Sequence, residues 1–191
     1  CVRMCSEVQN ISAIDICHRG RDSYVSCGFG LNLIDSNCVG CGQCAAVCPT
    51  GALTVKNEVG KMWDMIYDPN KKVAVQIAPS VRVGVAEEFG LPATTNAIGR
   101  IVTALKMMGA DYVYDTSLTA DLTIMEESAE FFEKLKNGDK LPMFTSCCPG
   151  WIKHIEKTYP QIMPQVSTCG SPMEMFGAII RQYFKDDPVY S

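Results

Sequence analysis

Four closely spaced cysteines carry the strongest chemical signal in the sequence. Cys38, Cys41, Cys44 and Cys48 lie in "CVGCGQCAAVCP", where Pro49 follows the last of them. The pattern C-x2-C-x2-C-x3-C-P is typical of proteins that hold 4Fe–4S cubane clusters, and in two-cluster proteins its fourth cysteine binds the other cluster. Three of these thiolates therefore share one cluster and need a fourth ligand from elsewhere in the chain.

The start of the sequence, "CVRMC", supplies that ligand. Cys1 and Cys5 have the x3 spacing of the last two cysteines of the same pattern. Cys5 then completes the cluster of Cys38, Cys41 and Cys44, whereas Cys1 and Cys48 belong to a second cluster. Two further ligands of that second cluster would precede residue 1, so we expect the sequence to be a fragment of a longer chain.

Zinc is the alternative metal, because C-x2-C pairs also hold zinc. Zinc sites usually take two separated pairs, which favours the iron–sulfur interpretation. The sequence has eleven cysteines, an odd number, and shows no secretory signal, which argues against a disulfide framework. Cys17 and Cys27 are interpreted as small residues of a hairpin-like insertion and His18 as a surface histidine.

The composition excludes several classes of protein. Of the 191 residues, 47% are hydrophobic and 20% are charged, which indicates a globular protein. A net charge of −4 without a basic run gives no sign of a nucleic-acid surface. We therefore expect no nucleic-acid partner. We also expect no membrane span, because no apolar stretch is long enough for one.

The remaining sequence alternates predicted strands and helices, which indicates α/β layers around a parallel sheet. The polar turn in residues 65–72 marks a domain boundary near residues 57–71. Strands are predicted in "VAVQIAP", "ADYVYDTS" and "LPMFTS". Helices are predicted in "TTNAIGRIVTALKMMG", which ends at Gly109, and in "TADLTIMEESAEFFEKLKNG", "PGWIKHIEKTYP" and "SPMEMFGAIIRQYF".

Two adjacent cysteines, Cys147 and Cys148, occupy "TSCCPGW", between the last predicted strand and a helix. Two adjacent cysteines are poorly placed to bind the same cubane cluster. We therefore expect one thiolate to bind metal and the other to stay free as an acid or base. A helix N-terminus lowers the pKa of a nearby thiol, which suits either role.

Through nearly its whole length the sequence resembles the catalytic subunit of the FeFe (iron-only) hydrogenases. The resemblance is carried by the cysteine-rich front, "VQIAPSVRVGVAEEFG", "ADLTIMEESAEFFEKL", "LPMFTSCCPGW" and "STCGSPMEMFGA". It implies a two-cluster α+β ferredoxin-like segment at residues 1–57. Part of an α/β H-cluster domain is implied at residues 72–191. It also implies the H-cluster, a cubane joined to a diiron unit with CO, cyanide and a bridging dithiolate amine.

The resemblance implies roles for individual residues by motif position. Cys148 would bind the H-cluster cubane, and Cys147 would pass protons to the bridging amine. Glu127 and Glu130, which share a helix face because they are three residues apart, would form the proton path with Ser167. Two further residues would pack on the diiron unit, namely Pro79 and Ser80.

The sequence departs from the family pattern in two places. Met173 and Glu174 stand where many members carry two glutamines. The other three H-cluster cysteines of the family come in later motifs that this sequence does not contain. We therefore expect the fragment alone to be inactive.

The resulting hypothesis is an iron-only hydrogenase that reversibly reduces protons to H₂. The alternatives are a hydrogenase-like protein of iron–sulfur cluster assembly, an H₂ sensor and a plain electron-transfer ferredoxin. Expected partners are a ferredoxin or an NAD(P)-linked flavoprotein subunit, together with H-cluster maturation proteins. We expect the cytoplasm of an anaerobic microbe, with the periplasm left open.

Overall fold

A computed structural model describes residues 1–92 and 95–185. The contacts divide the chain into two compact units. The cysteine-rich unit consists of residues 1–57 and 148–166, and the sheet unit consists of residues 58–147 and 167–191. The prediction of two domains at residues 1–57 and 72–191 stays a prediction, and the contacts add residues 148–166 to the first unit.

The cysteine-rich unit has little regular structure. A π-helical turn, Met4–Val8, is followed by a hairpin of strands β1 (Asp15–Cys17) and β2 (Tyr24–Ser26), which pair antiparallel with Asp15 opposite Ser26. A short helix α1 (Gln43–Ala46) and helix α6 (Pro149–Thr158) complete it, with 3₁₀ turns at 20–22, 33–35 and 160–165. Ala13, Ile14, Val39 and Ile155 form its buried core.

The sheet unit is built on two parallel strands, β3 (Ala74–Ile77) and β4 (Tyr112–Asp115), with Ala74 opposite Tyr112. The unit also contains helices α2 (Val59–Tyr67), α3 (Pro79–Glu88), α4 (Ile98–Met108), α5 (Ser117–Asn137) and α7 (Pro172–Tyr183). Helix α4 contacts β4, and α5 packs on α7. The mixed strand and helix content agrees with the sequence prediction.

Helix α4 ends where the sequence predicts. Gly109 has a left-handed backbone (φ 112°), which glycine adopts without strain, and its N–H closes the last turn. A Cβ atom at this position would lie 2.7 Å from Ile66 Cγ2, so a side chain has no room there.

The predicted strand at "LPMFTS" is wrong. Within the described residues, only Phe144 of this segment makes a strand-like bridge, and its carbonyl accepts a hydrogen bond from Ser167 N–H at 2.7 Å. A strand needs a ladder of hydrogen bonds, and Pro142 has no N–H to donate.

No helix in the described part of the chain is both long and apolar enough to cross a membrane.

Candidate functional site

Four cysteines of the cysteine-rich unit line one small cavity. They are Cys5, Cys38, Cys41 and Cys44, and the rest of the lining is mostly apolar, with Ile14 among its residues. The structure thus brings together the four thiols that the sequence assigns to a single cluster. Cys41 is exposed and the other three are half-buried, so the sulfur atoms lie close to the surface.

Backbone N–H groups point at two of these sulfur atoms. Ala13 N–H donates to Cys5 Sγ at 3.3 Å, and Gly40 N–H donates to Cys38 Sγ at 3.4 Å. Gly40 has φ 73°, a conformation that favours glycine and turns the loop back toward the cysteine. Such hydrogen bonds stabilise thiolate charge, and they are one of the factors that set the reduction potential of an iron–sulfur cluster.

This donor set fits a 4Fe–4S cluster, which takes four cysteine thiolates. Among the described residues, no group of three or more His, Cys, Asp or Glu side chains is placed to hold a single metal ion. A cubane uses its ligands differently, because each thiolate binds a separate iron. Residues 5, 38, 41 and 44 are therefore candidates for a cluster rather than for one ion.

Cys1 and Cys48 lie outside the cavity. Cys48 Sγ accepts a hydrogen bond from Leu53 N–H at 3.5 Å and lies 3.6 Å from the Thr50 hydroxyl. The N–H of Leu53, followed by the Thr50 hydroxyl, lowers the pKa of the Cys48 thiol from 9.0 to about 7. Cys48 is thus prepared for ligation as a thiolate, since the thiolate is the form that binds metal.

The two adjacent cysteines differ in their surroundings, although both are exposed. Cys148 groups by its contacts with the cysteine-rich unit and lies at the N-terminus of α6, where its carbonyl accepts Ile152 N–H at 3.1 Å. Cys147 groups with the sheet unit. The structure shows no hydrogen bond from the Cys147 thiol to another described residue.

In the sheet unit, Glu130 is the centre of a hydrogen-bonded cluster. Ser167 Oγ donates to its carboxylate at 2.8 Å, Thr168 N–H donates at 3.1 Å, and Lys134 Nζ forms an ion pair with it at 3.0 Å. Both side chains of the ion pair are only 16% exposed. Burial raises the pKa of Glu130, but Lys134, Ser167 and Thr168 outweigh it and lower that pKa below its ordinary value.

Cys169 connects this cluster to Ser146, the residue that precedes the two adjacent cysteines. Its thiol donates to Glu130 at 3.8 Å, its N–H donates to Ser167 Oγ at 3.1 Å, and its carbonyl accepts Ser146 Oγ at 2.6 Å. No role is predicted from the sequence for Cys169 or Lys134. The i, i+4 spacing of Lys134 from Glu130 is a signal that could have identified the lysine.

The other predicted site residues are placed less tightly. Glu127 is half-buried, and its carboxylate has no hydrogen-bond or ion-pair partner in the part of the chain that the structure describes. Pro79 and Ser80 are exposed at the start of α3, directly after β3. The structure therefore brings Glu130 and Ser167 together, and it does not join Glu127, Cys147, Pro79 or Ser80 to them by hydrogen bonds.

Helix α7, next to this cluster in sequence, begins with a complete capping box. Ser171 Oγ accepts Glu174 N–H, and the Glu174 carboxylate accepts Ser171 N–H. Hydrogen bonds donated to this carboxylate lower the pKa of Glu174, the N–H of Ser171 having the largest effect and the Ser171 hydroxyl the next. Glu174 has a structural role here as the partner of the helix cap.

Known proteins match both parts of the sequence. Residues 32–54 match a 4Fe-4S binding domain. The chain is 43% identical over 192 residues to the NADP-reducing hydrogenase subunit HndD of Solidesulfovibrio fructosivorans. This match covers 97% of this chain and 33% of HndD. It is 40% identical over 183 residues to the periplasmic [Fe] hydrogenase large subunit of Nitratidesulfovibrio vulgaris. That match covers 78% of this chain and 44% of the large subunit.

Solved structures and more distant relatives are also similar. An apo form of [FeFe]-hydrogenase HydA1 from Chlamydomonas reinhardtii superposes with a TM-score of 0.65 at 41% identity, covering 71% of this chain and 36% of that one. The cytosolic iron-sulfur assembly component 3 of Bos taurus is only 28% identical, over 78% of this chain. The chain thus spans between a third and a half of the length of these relatives.

Residues 71–190, well over half of the chain, match the model for the C-terminal domain of the iron-only hydrogenase large subunit. That span contains both the Glu130 cluster and the adjacent cysteines, and the matched ferredoxin-type segment precedes it. On this evidence the chain is a member of the iron-only hydrogenase large-subunit family.

Proposed function

We propose that the chain forms part of an iron-only hydrogenase that catalyses 2 H⁺ + 2 e⁻ ⇌ H₂. The observation that carries this proposal is the partly buried hydrogen bond between Glu130 and Ser167, in a chain that keeps "TSCCPGW" intact. An iron–sulfur protein that only stores or passes electrons needs neither a carboxylate–hydroxyl cluster nor a free thiol beside a ligand.

Electrons would travel through the cysteine-rich unit. Cys5, Cys38, Cys41 and Cys44 would hold one 4Fe–4S cluster, and Cys1 and Cys48 would contribute to a second. Their common cavity and the N–H groups directed at sulfur support the first cluster. The thiolate character of Cys48 supports its role as a ligand.

Protons would travel through the sheet unit, along Glu127, Glu130, Ser167 and Cys147. Because Glu130 is anionic at neutral pH, it can accept a proton, while Ser167 passes one on by rotating its hydroxyl. A general acid or base must lie within hydrogen-bond reach of its partner, a condition that Glu130 and Ser167 meet at 2.8 Å. Glu127 and Cys147 would complete the path at either side of them.

Cys148 would contribute one thiolate to the H-cluster, whose diiron unit supplies the redox chemistry of hydrogen when it is bound. The exposed thiol of Cys148 at a helix N-terminus suits ligation, but the described residues do not provide four thiols for that cubane. Pro79 and Ser80, exposed at the start of α3, would pack against the diiron unit.

The roles of the adjacent cysteines can be separated by mutation in the matured hydrogenase that contains this chain. Cys147→Ala should leave the iron content and the infrared bands of the H-cluster intact and lower H₂ turnover by at least about 10²-fold, since a proton relay is lost. Cys147→Asp, which restores a titratable group, should recover part of the rate. Cys148→Ala should lose the cluster itself. Equal loss of iron in both alanine variants would contradict the proposed division of roles.

The electron partner that we propose is an NAD(P)-linked flavoprotein subunit, because HndD is named as a subunit of an NADP-reducing hydrogenase. A ferredoxin is the alternative partner, and maturation proteins would install the diiron unit. H₂-dependent reduction of NADP⁺ by the purified complex would support the first partner, whereas reduction of ferredoxin alone would support the second. We propose the cytoplasm as the compartment by analogy with such a complex; a similar relative is periplasmic.

Participation in iron–sulfur cluster assembly is the second candidate, favoured by the similarity to the bovine assembly component. The two functions differ in one measurement. A hydrogenase evolves H₂ from reduced methyl viologen once matured, whereas an assembly protein transfers its cubane to an apo-acceptor and evolves none. A sensory role would show H₂ binding with turnover far below that of a catalytic hydrogenase.

A further inference from the structure

One lysine of helix α6 donates hydrogen bonds into the loop that carries the cubane cysteines. Lys157 Nζ donates to the carbonyl of Ser36 and to the carbonyl of Cys38, the latter at 3.3 Å. Both the helix and the loop belong to the cysteine-rich unit. A lysine ammonium is therefore placed on the backbone of a candidate cluster ligand.

The loop beneath this lysine is organised around Cys38. Cys38 N–H donates to Ser36 Oγ at 3.1 Å, and Cys38 Sγ accepts Gly40 N–H at 3.4 Å. Lys157 caps the two carbonyls of the same turn, and Lys153 Nζ lies 3.9 Å from the position of a Cβ atom on Gly40. The side chains of α6 thus contact the first cysteine loop at two points.

Helix α6 is itself firmly placed in this unit. Ile155, two residues before Lys157, is completely buried. Gly150, in the first turn, brings the helix close to the loop, since a Cβ atom there would lie 3.5 Å from the Val39 carbonyl. The position of Lys157 over the loop follows from this packing rather than from the flexibility of its own side chain.

The Lys157 ammonium is bound by backbone carbonyl groups. In the described part of the chain its acceptors are carbonyl oxygens, and no ion pair includes it. Carbonyl groups satisfy the ammonium hydrogen atoms but do not cancel the positive charge. The ammonium on the Cys38 carbonyl thus leaves an uncancelled positive charge on the loop that carries the cubane cysteines.

We propose that Lys157 is a positioning residue of the Cys38 loop and that its charge raises the reduction potential of the cluster held by Cys5, Cys38, Cys41 and Cys44. The proposal rests on the cluster ligation given under the proposed function. Reduction adds one negative charge to a cubane, so a positive charge hydrogen-bonded to the backbone of a ligand stabilises the reduced form. Because Lys157 is exposed, water and salt weaken this effect without abolishing it.

The test is a redox titration of the 191-residue chain, reconstituted anaerobically with iron and sulfide and followed by electron paramagnetic resonance. Lys157→Gln removes the charge and keeps a hydrogen-bond donor, and Lys157→Arg keeps both. At the wild-type midpoint potential, Lys157→Gln should lower the ratio of reduced to oxidised cluster about fivefold, and Lys157→Arg should change it less than twofold. The difference between Gln and wild type should shrink as salt is raised.

Lys106→Gln, on helix α4 of the sheet unit, is the matched control for a change of net charge. An equal shift in Lys106→Gln, or an unchanged ratio in Lys157→Gln, would overturn the role of Lys157 while leaving the cluster ligation standing. Absence of a cubane signal in the wild-type chain would overturn the ligation and this inference with it. Lys157→Met removes the hydrogen bonds to the Ser36 and Cys38 carbonyls as well as the charge, whereas Lys157→Gln keeps a donor. The Met variant should therefore lose its cluster to a chelator faster than the Gln variant.

Discussion

The loop that carries Cys38, Cys41 and Cys44 and the hydrogen-bonded cluster around Glu130 bring their residues together in different ways. In the loop, Cys38, Cys41 and Cys44 are neighbours in sequence, and only Cys5 is brought from a distance. Around Glu130, the partners Ser167 and Cys169 lie 37 and 39 residues away. A metal cluster draws flexible ligands together because each metal–ligand bond is strong, and metal binding is often coupled to folding for that reason. A hydrogen-bond cluster has no such source of order and depends on the packing of α5 and α7.

The two adjacent cysteines show the same contrast within two residues. Cys148 groups by contacts with the loop of ligands, and Cys147 groups with the unit of the hydrogen-bonded carboxylate. Two neighbouring thiols with the same exposure thus belong to different units of the chain. The contrast predicts that the cysteine-rich unit depends on its metal, whereas the Glu130 cluster survives without it.

The largest expected effect comes from removing one cavity cysteine. Cys41→Ser should lower the bound iron of the reconstituted chain from about four atoms per cluster to near zero, because a cubane needs four thiolates. Iron and sulfide analysis with visible absorption measures this. Cys17→Ser is the matched control in the β1–β2 hairpin and should keep its iron. Tightly bound zinc without a cubane signal would refute the cluster assignment.

Removal of Glu130 should have the next largest effect. Glu130→Ala takes away the acceptor of Ser167, Thr168 and Lys134, and hydrogen bonds to a charged group contribute about 2 kcal/mol. We expect the free energy of unfolding in urea at pH 7 to fall by about this amount. Glu133→Ala, an exposed carboxylate on the same helix, should change it by less than about 0.5 kcal/mol.

The pH dependence of this difference has a definite sign. The pKa of Glu130 is lowered in the folded protein, so its stabilisation is fully present above the unfolded pKa of about 4.3. It is lost as the pH falls through the lower, folded pKa. The gap between wild type and Glu130→Ala should therefore narrow in acid, and a gap that widened would contradict the assignment of an ionised Glu130.

A smaller effect is expected at the donor side of the same hydrogen bond. Ser167→Ala removes one donor to Glu130 and the acceptor of Cys169 N–H, while Lys134 and Thr168 stay in place. The free energy of unfolding should fall by about 1 kcal/mol, and the pKa of Glu130 should rise. Carboxyl infrared bands that disappear in Glu130→Gln report that pKa. Ser128→Ala, exposed on α5, should leave both quantities unchanged.

The smallest expected effect concerns Cys48 in the metal-free chain. Its thiol should react with iodoacetamide with a half-maximal rate near pH 7, the value to which Leu53 N–H and the Thr50 hydroxyl lower its pKa. Thr50→Val removes the hydroxyl and should move this midpoint upward, whereas Thr54→Val should not. Peptide mapping after alkylation identifies the residue. A midpoint near 9 in the wild type would show that these hydrogen bonds do not stabilise the thiolate.

The sequence by itself predicted which four cysteines lie around one cavity, and it predicted helices α4 to α7. Ligand spacing is a local property, so Cys38, Cys41 and Cys44 can be assigned to one cluster without any knowledge of the fold. The end of α4 at Gly109 is equally local, because it depends on one residue that tolerates a left-handed backbone. The motif "TSCCPGW" and its neighbours were also sufficient to indicate the family.

Only the tertiary structure decided which polar groups meet. The segment "LPMFTS" has strand-forming residues but does not form a strand, since strand pairing depends on a partner with a matching ladder and Pro142 breaks that ladder. The partners of Glu130 other than Lys134 come from the loop between Ser167 and Cys169, which no spacing rule connects to helix α5. Lys157 reaches Cys38 across 119 residues for the same reason. Contacts of this kind arise from the packing of distant segments, and a one-dimensional pattern does not record that packing.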